Sequence, residues 1–205
     1  MTTQLVRRKH KSNQSDKLGQ NPLLVASGSA VGLASIAVVR TSCGWAGLRG
    51  QQGVVTRTTM GQSSEADARQ ALGTDGVSPE PVAWLNEAAD LLRRFLDGEA
   101  VDINRIPVDT DSGTPFQRKV RKAVRAIPPG ETRTYGEIAK KVGSPGAARA
   151  VGRVMATNQV PLLVPCHRVV GSCGQLVGFS APRGVVLKQH LLEIEKRAGG
   201  QPTDN

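Results

Sequence analysis

Five residues near the C-terminus carry the strongest chemical signal in the chain: Pro165-Cys166-His167-Arg168-Val169. A cysteine is followed directly by a base and a cation. The thiolate, not the thiol, is the nucleophile, and adjacent positive charge or a base lowers a thiol pKa from about 8.5. The apolar run Val160-Pro161-Leu162-Leu163-Val164 leads into this segment and reads as a buried strand ending at the cysteine. A buried cysteine with no reactivity is the usual fate of a free thiol. The surroundings must therefore decide between a structural and a nucleophilic Cys166.

The elements around it are basic. Among 205 residues, Lys and Arg number 27 against 17 Asp and Glu, a net charge of +10. Ten of the cations fall between Arg118 and Arg153, where only Glu131 and Glu137 oppose them; residues 74–111 carry nine acids against Arg93, Arg94 and Arg105. A cationic surface confined to one segment suits a polyanion, most often nucleic acid. Three cysteines, Cys43, Cys166 and Cys173, form neither an even framework nor a CxxC pair, and no His–Cys spacing fits zinc. Reduced thiols and a cytoplasmic chain are expected, with no metal and no cofactor. Arg7, Arg8, Lys9 and Lys11 precede an uncharged stretch from Leu23 to Val39. Its serines and glycines argue against a membrane span, so residues 1–34 read as a disordered basic tail.

Three β-like segments follow, at Ile36–Val39, Gly44–Leu48 and Val54–Thr59, with Gly-containing breaks between them. Ser64 is placed to cap a short helix over 64–72, and apolar spacing from Trp84 to Phe95 marks a second. Thr114-Pro115 opens a third, with an apolar stripe at Phe116, Val120, Val124 and Ile127, and Pro128-Pro129-Gly130 ends it. Residues 134–142 and 147–157 then form two short helices joined by Gly143-Ser144-Pro145-Gly146, a helix-turn-helix pattern. The last of these has Ala147, Ala148, Ala150, Gly152 and Ala156, with Arg149 and Arg153 four residues apart. Small residues with arginine suit close approach to a minor groove better than base reading in the major groove.

A basic helix-turn-helix, Arg149 in its second helix and Cys166 seventeen residues later together resemble the C-terminal domain of the O6-alkylguanine-DNA alkyltransferases, the methylated-DNA–protein-cysteine methyltransferases. The likeness spans residues 114–195. It rests on TPFQRKVRKAVRAIPPGETRTYGEIA (114–139), GAARAVG (146–152), Asn158, PCHRV (165–169), Gly178-Phe179-Ser180 and LLEIE (191–195). It implies an α+β fold, with an N-terminal α/β domain carrying a small antiparallel, ribonuclease-H-like sheet and a mostly helical C-terminal domain with the helix-turn-helix and a short active-site strand. The expected boundaries are 1–34 tail, 35–110 N-terminal domain, 111–197 DNA-binding and alkyl-acceptor domain, and 198–205 disordered C-terminal tail.

The resemblance also implies roles. Cys166 accepts the alkyl group, His167 acts as base through a water, and Glu195 orients His167, so that thiolate forms near neutral pH. Tyr135 donates to the base, Asn158 ties the recognition helix to the active-site strand, and Lys188 stands near the site. The carbonyls of Cys166 and Val169 accept from the guanine amine, Ser180 contacts O6, and Phe179 lines the pocket where a tyrosine is frequent in the family. Arg149 replaces the flipped nucleotide in the stack, while Ala147, Ala148, Gly152, Arg153, Arg118, Thr134 and Tyr135 face DNA. The basic residues of 118–153 hold phosphates. The implied partner is double-stranded DNA containing O6-alkylguanine, met through the minor groove by a monomer with no membrane contact. Nothing regenerates the thioether, so one turnover per molecule is expected. Relatives that bind lesions without repair lack the acceptor cysteine; a regulator of the adaptive response requires a further cysteine-rich domain. A cysteine hydrolase requires a direct Cys–His pair, which neighbours on a strand do not make.

Overall fold

The computed structural model describes residues 33–80 and 82–199. Residues 1–32 of the expected N-terminal tail, and 200–205 of the C-terminal one, lie outside the described residues. Ala34 is buried and pairs with Val77, its N–H donating to Gly76 and its carbonyl accepting from Ser78, so it belongs to the fold.

Strands β1 (Ser35–Thr41), β2 (Gly44–Gln51) and β3 (Val54–Gln62) form an antiparallel meander in the order β1-β2-β3. The α+β reading holds. Helix α1 (Glu65–Leu72) begins where expected, with Ser64 accepting from the Asp67 N–H. Helix α2 (Ala83–Leu96) lays Trp84, Leu85, Ala88, Leu92 and Phe95 against the sheet. Gly50 is required there, because a Cβ would stand 2.5 Å from the Trp84 ring.

In the second half, α3 (Pro115–Arg125) and α4 (Tyr135–Lys141) each open on a reciprocal capping box, Thr114 with Gln117 and Thr134 with Glu137. After α5 (Ala148–Ala156) the chain returns through a 3-10 turn, Cys166–Arg168, into β5 (Val169–Val170). It ends in α6 (Gly184–Gly199), two residues past the boundary expected at 197. The two-residue strand β4 (Arg133–Thr134) pairs in parallel with β5, Arg133 with Val169 and Thr134 with Val170. This ladder holds the N-terminus of α4 beside the cysteine turn.

The strand expected over Val160–Val164 is absent. The segment is a buried turn, with Leu162 at φ +72° and the Val164 N–H on the Val160 carbonyl at 2.9 Å. Pro161 and Pro165 supply no N–H to a ladder, which explains why an apolar run here does not extend. The active-site strand follows the cysteine instead of leading to it. The opposite-faces premise used against a direct Cys–His pair fails with it, since both residues sit on a 3-10 turn.

The buried core runs continuously from the sheet into the helical half. Between the halves, Thr58 donates its N–H to Gln159 (2.9 Å) and its hydroxyl to Pro161 (2.6 Å). Arg125 donates to the carbonyls of Asn104 (2.9 Å) and Ile106 (3.1 Å). Strand β3 thus braces the segment that delivers Cys166.

Candidate active site

Cys166, His167 and Arg168 are all buried, as are Lys188 and Glu195 of α6, which packs against their turn. His167 Nε2 lies 2.7 Å from Glu195 Oε1. Arg168 grips the same carboxylate, with Nε at 3.0 and 3.1 Å from its two oxygens and Nη2 at 2.8 Å from Oε1. Its Nη1 donates to the Ile127 carbonyl. The Gly130 N–H donates to Glu195 Oε2 at 2.9 Å, which gives the Pro-Pro-Gly break a second task. Burial pushes the Glu195 carboxyl up, but the hydrogen bonds and charges of His167 and Arg168 outweigh it and hold the group down to about 2.

His167 Nδ1 is buried with no hydrogen-bond partner in the protein. A buried polar atom is ordinarily satisfied, so this nitrogen calls for a water as its partner. Burial draws the imidazole below its ordinary pKa, more than Glu195 raises it. Burial likewise pushes the Cys166 thiol up; the Asn158 amide, the Lys188 charge and nearby backbone N–H groups pull it down without cancelling that rise. The rise works against the thiolate that the relay was expected to form, so a base placed to take the proton matters in this site.

Lys188 donates to the carbonyls of Val169 (2.7 Å) and Val177 (2.9 Å), tying β5 to the loop that carries Phe179 and Ser180. Burial draws its ammonium down, while a charge on Cys166 would raise it. Asn158 donates to the Val164 carbonyl (2.8 Å) and accepts from the Val160 N–H (3.2 Å), joining the end of α5 to the cysteine segment. A cavity of about 250 Å³ opens over the sulfur, lined by Tyr135, Gly152, Met155, Cys166, Phe179 and Ser180. Its size suits one flat heterocycle more than a drug-sized ligand. Burial, then Cys166, raises the Tyr135 hydroxyl, keeping it a donor at neutral pH.

The helix-turn-helix bounds this cavity. Arg149 and Arg153 are exposed on α5, and their side chains make no hydrogen bond or ion pair among the described residues. Ala147 occupies the N-cap of α5 and offers no side-chain acceptor. A family model described as 6-O-methylguanine DNA methyltransferase, DNA binding domain, matches residues 115–197. The Mycobacterium tuberculosis methylated-DNA–protein-cysteine methyltransferase is 46% identical over 120 residues, covering 58% of this chain and 69% of its own. The chain belongs to the methylated-DNA–protein-cysteine methyltransferase family. The constitutive family member of Bacillus subtilis is 37% identical over 142 residues, 69% of this chain and 83% of that protein. The crystal structure of Mycobacterium tuberculosis OGT in complex with DNA superposes with a TM-score of 0.64 at 36% identity, covering 80% of this chain and 94% of that one.

Within this family frame, Cys166, Tyr135, Phe179, Ser180 and Gly152 meet at one cavity, and His167, Glu195, Asn158 and Lys188 stand directly behind it. The Val169 carbonyl, expected to face the guanine amine, accepts from Lys188 Nζ at 2.7 Å. Arg118 donates to the Gly113 carbonyl at 2.6 Å and stays partly exposed, and the Thr134 hydroxyl oxygen caps α4. The phosphate-holding set narrows. Arg125 is spent on the junction between halves, Arg121 donates to the Ser112 carbonyl, Lys122 pairs with Asp111, Arg133 with Glu131, and Lys140 stands near Glu137, leaving Lys119, Lys141, Arg149 and Arg153 exposed with no side-chain partner among the described residues. Sequence reasoning read Arg168 as a cation for the thiol, whereas the structure turns it onto Glu195, and it missed Gly130 as part of the site. An arginine inside the mostly apolar stretch 160–170, next to His167, was the available signal for its burial. Gly130 gave none, because its contribution is a backbone N–H.

Proposed function

We propose that this protein repairs DNA by direct reversal, taking the alkyl group of an O6-alkylguanine onto Cys166 in a single turnover. The observation that carries this reading is the cavity itself, with a buried thiol at its floor and a base, His167, held behind it by Glu195. O6 of guanine lies inside the duplex, so the nucleotide is rotated out into the cavity. Unstacking costs a few kcal/mol, and Arg149, unpaired on α5, fills the vacancy. At the N-terminus of α5 the Ala147 N–H donates to the Ser144 carbonyl (3.1 Å), so Ala148 offers its backbone N–H to a phosphate beside the small Ala147, and Gly152 lets the backbone lie close. Arg153, Arg118, Thr134 and the free lysines hold the backbone without reading sequence.

With the base bound, the Cys166 proton passes through a water to His167 Nδ1. The sulfur attacks the alkyl carbon; the S–C bond forms as the C–O6 bond breaks, and its electron pair goes to O6. Guanine leaves as the neutral base once it takes up one proton, so the thiol proton is the one that balances the product. Tyr135 donates to the base ring, the Cys166 and Val169 carbonyls accept from its amine, and the Ser180 N–H meets O6. Phe179 forms an apolar wall. Asn158 and Lys188 hold the cysteine turn and the loop in register. The thioether is stable, so the protein is consumed.

The fold carries no cofactor in this scheme. Among the described residues no helix is long and apolar enough to cross a membrane. We place the protein with its substrate, on DNA in the cytoplasm, or in the nucleus of a eukaryotic cell. Intact-mass measurement after mixing with a duplex containing one O6-methylguanine tests the proposal. One methyl addition, mapped to Cys166 and saturating at one per protein, is expected. Continued turnover overturns it, and binding with no adduct favours lesion recognition without repair.

A further inference from the structure

The carboxylate of Glu195 is surrounded by donors. Arg168 contributes two nitrogens and Gly130 a backbone N–H, none of which can accept a proton; only His167 has a choice. Both carboxylate oxygens are occupied, so neither has room for a proton of its own. His167 must therefore donate from Nε2, and its lone pair is left on Nδ1, the atom with no partner in the protein. Charge points the same way. A buried His–Glu pair alone carries −1 when the imidazole is neutral, and a low-dielectric site relieves that by taking up a proton. With Arg168, 1% exposed, the cation and carboxylate cancel, and the imidazole stays neutral.

We propose that Arg168 is a positioning residue for alkyl transfer, clamping Glu195 so that His167 keeps a neutral imidazole with its Nδ1 lone pair toward Cys166. The inference rests on the alkyl-transfer reading of the site. Arg168 does not touch the alkylated base; it acts through Glu195 on the atom that receives the thiol proton. Besides Glu195 and Arg168, the charged group acting on His167 is Lys188 of α6, and the titratable Cys166 precedes it on the same turn. Lys188 is committed to two carbonyls and does not reach Glu195 among the contacts it makes. Loss of Arg168 leaves the His167–Glu195 pair to take up a proton at higher pH, and a protonated Nδ1 cannot serve as base. The sulfur proton then has no acceptor, and transfer stops over a wider acid range.

The experiment uses the full chain and two readouts: the 15N spectrum of labelled histidines against pH without DNA, and the single-turnover methyl-transfer rate against pH on methylated duplex. In the unsubstituted protein, His167 is expected to carry its proton on Nε2 at neutral pH. R168M should move the His167 transition and the acid limb of the rate profile upward together, by about one unit or more. E195Q should move them downward, and R168K, which keeps the charge, should restore the limb toward its original position. An Arg168 that serves only packing would lower stability and leave both profiles in place, which overturns the proposal. So does an Nδ1 proton at neutral pH in the unsubstituted protein, a result that needs no variant to fold. Absence of methyl transfer by the unsubstituted protein refutes the repair reading instead, while the histidine spectrum still reports on the clamp.

Discussion

Two groups of cationic residues in this chain are treated in opposite ways. Arg168 and Lys188 are fully buried, and their hydrogen bonds run to a carboxylate and to main-chain carbonyls. Arg149 and Arg153, on a helix that lines the same cavity, are exposed, and their side chains are bound to nothing among the described residues. A buried charge is tolerated only where neighbours replace the water it lost, so the first group is fixed in place and its geometry can tune a pKa. An exposed arginine keeps its hydration and its rotamers until a phosphate or a base stack takes them up. On the proposed reading, the buried set serves chemistry on one atom, and the exposed set serves contact with a surface that varies. Disturbing the first should cost stability, and disturbing the second should cost function on DNA alone.

The sharpest way to break that contrast is Glu195→Ala. It strands Arg168 in the interior without its carboxylate, and a broken buried pair costs about 3–5 kcal/mol. A urea midpoint measured against the unsubstituted protein checks this. A loss below about 1 kcal/mol would mean that water reaches Arg168 and that the relay is less enclosed than its burial indicates.

Acid titration probes the same region without a substitution. Glu195 sits at about 2 in the folded protein, below its ordinary 4.5. A depressed carboxylate stabilises the fold above its unfolded value, and that contribution is lost as pH falls from 4.5 toward 2. The drop in pKa corresponds to about 3 kcal/mol at most for one group. His167 acts in the same direction at higher pH: its folded value is lowered, so stability falls as pH drops below its unfolded 6.5. Unfolding free energy measured from pH 7 to pH 3 should therefore decline in two stages, and Glu195→Gln should flatten the lower one.

Arg149→Ala tests the exposed set. Its side chain has no protein partner to lose, so unfolding free energy should stay within about 0.5 kcal/mol. Transfer from a methylated duplex should slow at least tenfold, equivalent to about 1.4 kcal/mol, while reaction with free O6-methylguanine is unchanged. Equal losses on both substrates would mean that Arg149 supports the cavity instead of the DNA.

These two regions were unequally legible in the sequence. The exposed helix reads directly, because small residues interrupted by Arg149 and Arg153 leave a pattern in residue types, and Thr114 and Thr134 announce their capping boxes by spacing. Cys166 stood out as the candidate nucleophile from its neighbours. The local shape around it was not: Val160–Val164 has a strand's composition, yet two prolines and a left-handed Leu162 fold it into a turn. The clamp of Arg168 on Glu195 spans 27 residues, and the Gly130 contact spans 65. Contacts of that separation depend on how helices pack, and Gly130 contributes through a backbone N–H that any residue type supplies.

Gly152 belongs to both regions, since it lies on α5 beside Arg153 and also lines the cavity over Cys166. A Cβ there would meet only Tyr135 ring carbons, at 3.9 Å, which is ordinary contact. Gly152→Ala should therefore raise stability by about 0.5–1 kcal/mol, because glycine within a helix costs that much relative to alanine. The same methyl group narrows the mouth of the cavity and stands between the helix backbone and DNA, so transfer from duplex should slow as the melting temperature rises. A variant that gains stability and keeps its full rate would show that the glycine is not needed for close approach. A variant that loses both would mean that Tyr135 cannot accept the contact, and that the cavity wall is tighter than its 3.9 Å spacing suggests.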